Sequence, residues 1–420
     1  MIIVNIGDEL LIGQVVNTNA SYMASRFNTI GLGVNEFRVI SDHEDAIRKT
    51  IEDGFEKTDC LVFSGGLGPT KDDLTKQVIC DYFGTELIED SQALALITKI
   101  LGERGMEVSE SNRAQALVPA NSTVLPNHNG TAQGIWIERD GKLLIALPGV
   151  PFEMKRMMEE EVLPRMVERS KTEHFIIHSV VQMTDIAEST LSDLLSSWED
   201  ALPAHIKLAY LPRPGIVRLR LTGQGNDKGL LEKEIQNEVD KLTAIAGKYI
   251  WSYEDNQLEE VVGNLLRKRH KTLALAESCT GGKIAHLITS VAGSSHYFRG
   301  SMVAYSNEIK REILNVREQN IKKHGAVSES VVSDMAINTM DLFDSDYCIA
   351  TSGIAGPDGG SDEKPVGTVW IAVASNTRLT TRLFHFGSVG GREHIIQRAA
   401  IAALNMLRVD LMVDQLRIKN

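Results

Sequence analysis

The chain carries apolar runs that each end in a glycine-rich turn and then give way to a helical pattern. Cys60-Leu61-Val62-Phe63 is followed by Ser64-Gly65-Gly66-Leu67-Gly68-Pro69-Thr70. Thr272-Leu273-Ala274-Leu275 is followed by Ala276-Glu277-Ser278-Cys279-Thr280-Gly281-Gly282. Strands that are apolar along their whole length are buried on both faces, which calls for a parallel sheet covered by helices. In such sheets ligands bind beyond the carboxyl ends of the strands. The pattern therefore predicts an α/β protein and marks the edges where its chemistry is to be sought.

At 420 residues the chain exceeds one ordinary core. Strand and helix signals alternate over residues 1–167, from the strand Ile2-Ile3-Val4-Asn5-Ile6 onward. Asp140-Gly141 predicts a hairpin there, and a helix is expected from Asp72. Residues 168–252 read as strand, helix, strand, strand, helix, a small α+β domain with one open face. A linker is expected over 249–257. Residues 256–420 return to α/β, with a helix expected from Ser328, where Ser328-Glu329-Ser330-Val331 has cap character. The net charge of −12 disfavours a nucleic-acid partner. Arg213, Arg218 and Arg220 form the middle domain's basic cluster and read as a solvated strand face. Cys60, Cys80, Cys279 and Cys348 share no ligand spacing, and Cys279 reads as an apolar filler. No apolar run approaches the ~18–20 residues that span a bilayer, and no cleavage signal opens the chain. A cytoplasmic protein without a membrane partner is expected.

In the third domain, Ser278 stands where a nucleophile is presented, at a strand end before glycines and a helix. A serine hydroxyl needs a base, and no histidine there has a strong turn context. Lys310, in Tyr305-Ser306-Asn307-Glu308-Ile309-Lys310, is the candidate base if burial lowers its pKa. Tyr305 would orient it or relay the proton. The helix near Gly281 would direct N–H groups at an anion. The turn from Gly353 through Gly356 to Gly360 would form a nest for phosphate or oxyanion. Ser294 and Arg392 are candidate polar and phosphate contacts. A plainer reading also fits, in which Ser278 caps the helix and Lys310 is solvated.

In the first domain, Gly65, Gly66, Gly68, Thr70 and Lys71 suit phosphate, while Asp72 and Asp73 suit a hard cation. The Gly-Lys-Ser/Thr ending of a Walker A loop is absent. Asp8 and Glu9, after the first strand, would reach the same edge, with Asn17, Asn19, Asn127 and the Gly130-Thr131 turn adding polar groups. Capping acids at helix starts would look the same singly. Together they point to a nucleotide or pterin site.

Over its full length the chain resembles the CinA family (competence/damage-inducible protein A). The N-terminal signature is Gly7-Asp8-Glu9, Asn17-Thr18-Asn19, the 65–70 turn with Asp72-Asp73, and Leu147-Pro148-Gly149-Val150-Pro151. The C-terminal signature is Glu277 through Gly282, Gly293-Ser294-Ser295, Tyr305 through Glu308 with Lys310, Gly325 through Ser328, and 352–360 followed by Lys364-Pro365-Val366-Gly367-Thr368. The resemblance implies a molybdopterin-binding-like domain, a KH-like middle domain and an amidohydrolase domain, usually in a homodimer. It implies deamidation of nicotinamide mononucleotide at the third domain, without a cofactor. It also implies ADP-ribose pyrophosphate hydrolysis with a divalent metal at the first. By motif match Ser278 is the nucleophile and Lys310 its base, with Tyr305, Ser294, Thr351 and Arg392 in support. Three positions depart from the family's pattern. Gln133 replaces a usual Pro, the 184–189 segment lacks a usual glycine, and Ile396 stands where relatives can carry Arg. The alternative is a pterin- or nucleotide-binding competence module whose N-terminal site is vestigial.

Overall fold

The computed structural model describes residues 1–70, 72–170 and 175–418, and the chain divides into two compact units. Residues 1–177 with 223–232 form the first, and 178–222 with 233–420 the second.

The first unit is built on a six-stranded sheet in the order Glu36–Ile40, Ile2–Ile6, Cys60–Ser64, Lys142–Leu147, Gly134–Arg139, Thr123–Leu125. The first four strands run parallel, and the last two are joined on by antiparallel pairings. Ile2–Ile6 and Cys60–Ser64 are buried at every position, because alternate side chains feed two cores. Ile2, Val4, Leu61 and Phe63 pack with Ile51, Phe55, Val78 and Phe83 of the helices Glu44–Lys57 and Thr75–Phe83. Ile3 and Val62 pack on the other face with Met23, Phe27 and Met154 of the helices Thr18–Thr29 and Pro151–Met157. The predicted hairpin is present, and Asp140 (φ 54°) and Gly141 (φ 78°) both take the left-handed conformation that a two-residue turn requires.

In the second unit the third domain's five-stranded sheet runs Phe298–Val303, Leu273–Glu277, Tyr347–Gly353, Thr368–Ser375, Arg378–His385. The first three strands are parallel, and the last two are joined on by antiparallel pairings. Leu275 and Ile349 bury one face under the helices Leu258–Lys268 and Gly391–Ile418, and Ala276 and Ala350 bury the other under Glu329–Leu342. The middle domain is a four-stranded sheet, Ile206–Arg213, Ile216–Gly225, Phe175–Met183, Ile250–Ser252, with helices Glu188–Asp200 and Lys228–Ala246. Val217, Leu219 and Leu221 point inward in strict alternation. Arg218, on the opposite face, pairs with Asp255 at 2.8 Å.

Three expectations are corrected. The 249–257 stretch is no plain linker, since Ile250–Ser252 is buried and pairs antiparallel with Phe175–Met183. A run of three residues is too short for alternation to reveal. The helix expected from Asp72 begins at Thr75, because Asp73 folds back on Thr70 and closes a turn first. Ser328 does not cap the next helix with its side chain, which donates instead to the Gly325 carbonyl at 2.9 Å. Among the described residues no helix is long and apolar enough to cross a membrane.

Ile349, fully buried in the central part of the third domain's sheet, touches the helices that cover one face. Ile349→Ala is expected to lower that domain's stability by about 2–5 kcal/mol in urea denaturation. A loss below about 1 kcal/mol would contradict this account of the core.

Candidate functional site

Leu273–Glu277 is flanked by parallel strands on both sides, and Ser278 is the first residue past its carboxyl end. The Ser278 N–H donates to the Thr351 carbonyl at 3.1 Å, and the Thr280 and Thr351 hydroxyls meet at 2.8 Å beneath it. Gly281 (φ 58°) and Gly282 (φ 97°) then turn the chain into the helix Lys283–Thr289. Glu277 is wholly buried and its carboxylate accepts from the N–H groups of Gly282, Ile284 and Ala285 at 3.0, 3.1 and 2.8 Å. These bonds overturn the expectation that this helix start would serve an anion, since a carboxylate of the chain already occupies its donors. They also remove Ser278 from a capping role.

Lys310 lies on the helix Asn307–Glu312, whose first turn is capped by the Ser306 hydroxyl. It is 1% exposed, so the reading of a solvated lysine fails. Its Nζ stands 3.0 Å from Ser278 Oγ, 2.8 Å from the Ala304 carbonyl and 3.2 Å from the Tyr305 carbonyl. Burial lowers its pKa, because charge is costly away from water. A neutral amine has two N–H donors and one lone pair. In that form the two carbonyls accept the donors and the lone pair is left for the Ser278 hydroxyl, whereas the ammonium form donates to Ser278 Oγ. The arrangement is therefore suited to drawing a proton from Ser278.

A cleft of about 220 Å³ opens on this pair. Tyr305 contributes its carbonyl to Lys310, while its hydroxyl accepts from Arg392 at 2.8 Å and among the described residues makes no bond to Lys310, so the expected orienting contact is made by the main chain. Arg392 also donates to the Gly356 carbonyl at 2.9 Å, and neither partner is anionic. Gly353 lines the cleft where a Cβ would come within 2.7 Å of Val369 Cγ2. Gly356 has φ 77° and holds Arg392 by its carbonyl. Thr351 is fully buried behind the Ser278 turn and positions it from there. Ser294 is not brought to the site. It precedes Phe298–Val303, which runs parallel to Leu273–Glu277, and so sits at the opposite edge of the sheet. Burial raises the Cys279 thiol to about 12, which leaves it protonated beside Ser278. Asn307 and Ser352 line the cleft and were not foreseen, and neither was the clamp by Glu277. An acid closing an otherwise apolar strand was the available signal for Glu277.

At the first domain's carboxyl edge lies a larger cavity of about 580 Å³. Gly65, Gly66, Gly68 and Thr70 line it. At Gly65 (φ 119°) a Cβ would stand 2.4 Å from the Ile6 carbonyl oxygen. Among the described residues the amides of Gly66, Leu67 and Gly68 donate to no protein acceptor. Glu9, Asp72 and Asp73 also line the cavity, whereas Asp8 does not. Asp73 is engaged by the Thr70 N–H at 2.9 Å and hydroxyl at 2.5 Å. Among the described residues no three His, Cys, Asp or Glu side chains converge to hold a metal. Asn19 is a strut rather than a lining group, donating to Ser64 Oγ at 3.1 Å and the Gly149 carbonyl at 2.8 Å. Asn17 caps Thr18–Thr29, and Asn127 is spent on the 127–133 turn. Gln133, wholly buried, accepts from the Asn127 N–H and donates to the Thr131 carbonyl, so it holds that turn by hydrogen bonds. Lys71 lies outside the described residues. Lys76, unforeseen, is 8% exposed and donates to the Gln115 carbonyl at 2.9 Å, and burial lowers its pKa to about 8.

Family models match the whole succession of domains. The CinA C-terminal domain matches residues 255–411, a probable molybdopterin binding domain residues 2–168, and the KH domain of damage-inducible protein CinA residues 178–252. A CinA-like protein of Cytophaga hutchinsonii is 42% identical over 409 residues, 97% of each chain. A putative competence-damage inducible protein of Caldicellulosiruptor saccharolyticus is 39% identical over 410 residues, 97% of this chain and 98% of its own. The crystal structure of competence/damage inducible protein CihA from Agrobacterium tumefaciens is 33% identical, covering 38% of this chain and 99% of its own at a TM-score of 0.36. With all three domain types in order and relatives aligned from end to end, the chain belongs to the CinA family.

Proposed function

We propose that the third domain hydrolyses the carboxamide of nicotinamide mononucleotide, giving nicotinate mononucleotide and ammonia. The observation that carries this reading is the buried Lys310 amine, 3.0 Å from Ser278 Oγ and held by two carbonyls. Ser278 attacks the carboxamide carbon as its proton passes to Lys310 Nζ. The tetrahedral intermediate collapses, the C–N bond breaks, and Lys310 returns the proton to the departing ammonia. Water, deprotonated by the same amine, then hydrolyses the serine ester. Arg392 supports a phosphate-bearing substrate, because its partners are a carbonyl and a hydroxyl and leave its charge uncompensated. The 220 Å³ cleft suits one reacting group and its ring better than a dinucleotide.

Ser278→Ala and Lys310→Ala are each expected to lower ammonia release by at least about 10²–10⁴-fold. Lys310→Arg should fail as badly, since a guanidinium stays charged. In the native enzyme kcat/KM should fall as pH drops through the lowered Lys310 pKa, where the amine becomes protonated. Near-native rates in either alanine variant, or a flat acid limb, would contradict the assignment.

We further propose that the first domain hydrolyses the pyrophosphate of ADP-ribose. Its support is the row of amides at Gly66, Leu67 and Gly68, which among the described residues have no acceptor, in a turn that lines a cavity of about 580 Å³. Such a row suits a phosphate. Glu9 and Asp72, which line the cavity without converging with a third acid, would offer hard oxygen donors to a divalent ion. That ion would polarise a phosphoryl oxygen. Asp73, engaged by Thr70, would shape the turn. Adenosine monophosphate formation from ADP-ribose is expected to stop on chelation and return with added divalent metal. An unchanged rate under chelation would remove the metal from this reading.

A further inference from the structure

Within the second unit a cavity of about 360 Å³ lies between the middle and third domains, remote in role from the Ser278 cleft. The middle domain supplies the turn at 184–188 and the hairpin at 212–217, and the third domain supplies Arg382, His385, His394 and Arg398. The 184–188 turn is the segment that lacks the family's usual glycine. Asp185 nonetheless takes the left-handed conformation there (φ 63°), a strained choice for a side chain. That strain is held by two bonds across the seam, as Asp185 accepts from Arg382 at 3.2 Å and from Asn405 at 3.1 Å.

The third domain's wall is built to hold guanidinium groups without neutralising them. Phe384 and Phe386 stack with centroids 5.3 Å apart and planes 13° from parallel. Arg382 lies over Phe384 at 4.5 Å and Arg398 over Phe386 at 4.9 Å. A ring face attracts a cation but leaves its charge and its N–H edges in place. Arg382 is compensated by Asp185. Among the described residues Arg398 has no acidic partner: it donates to the Phe386 carbonyl at 2.8 Å, and burial lowers its pKa. Arg213, on the middle domain's hairpin, lines the same cavity, and among the described residues it forms no ion pair. Glu188 is the remaining acid on the wall and sits in the first turn of its own helix, where the helix dipole favours it.

An arginine kept half out of water with only carbonyl and aromatic partners is costly unless an anion completes it. We propose that this seam is a second ligand site, which binds the phosphoryl group of a small metabolite between Arg398 and Arg213. Guanidinium forks match phosphate oxygens two at a time, and a cavity of this size admits a mononucleotide. Such a ligand would tie the middle domain to the helix Gly391–Ile418, which also carries Arg392 of the cleft.

The test is binding of inorganic pyrophosphate to the full chain by calorimetry. Wild type is compared with Arg213→Gln, Arg398→Gln and the surface control Lys99→Gln. The proposal predicts that each seam variant loses one binding site per chain, or weakens it about tenfold. Lys99→Gln should match wild type, and ammonia release without pyrophosphate should be unchanged in all three. Arg213 is exposed at a hairpin end, so its variant decides the matter even if Arg398→Gln fails to fold. Stoichiometry and affinity equal to wild type in Arg213→Gln, or no pyrophosphate binding by wild type, would overturn the proposal.

Discussion

A lysine side chain carried out of water and left without a carboxylate is the interaction around which the third domain is organised. The ammonium form of Lys310 would have to be buried at 1% exposure among Ser278 and two main-chain carbonyls. The desolvation cost falls on the charged form, so the fold stabilises the free amine. The same two carbonyls that hold the amine decide where its lone pair points. Ala304 is fixed in turn by its N–H to the Glu277 carbonyl at 2.8 Å. The base and the strand bearing the nucleophile are thus joined through the backbone rather than through mobile side chains.

Glu277 extends that logic to the nucleophile. Its carboxylate gathers three amides of the following helix start. Hydrogen bonds to an ionised group are stronger than neutral ones. The turn carrying Ser278 is therefore clamped between its own strand and helix, with Thr280 and Thr351 locked beneath it. The site keeps Ser278 and Lys310 in register by rigid elements, which is what proton transfer over one hydrogen bond demands. The first domain presents a looser arrangement. Its glycine turn is preformed, but its carboxylates do not converge, and one of them is spent on shaping the turn.

Much of this was legible before any coordinates. Fully apolar strands ended by glycines announced the parallel core of each sheet and the edges that bear the cavities, but not the antiparallel strands that complete both sheets. Ser278 and Lys310 were readable from residue type and local context. Their neighbours were not, because the partners of Lys310 are carbonyls, which every residue possesses. Ser294 was misplaced because distance along the chain does not say at which end of a parallel strand a residue lies. Thr351 and Asn19 are polar and near the right turns, yet their side chains face inward as struts. The seam between the middle and third domains rests on pairs such as Asp185 with Arg382 and Asn405, some 200 residues apart. No local pattern signals such a meeting.

The central claim is that burial shifts Lys310 towards the free amine, whose lone pair then faces Ser278. Nitrogen-15 NMR of the lysine side chains, with Lys310 assigned by its loss in Lys310→Ala, observes that protonation state directly. The account predicts that this Nζ titrates below the exposed lysines of the chain and shifts when Ser278 is replaced by alanine. A Lys310 signal that remains an ammonium alongside the surface lysines across the whole pH range would contradict it.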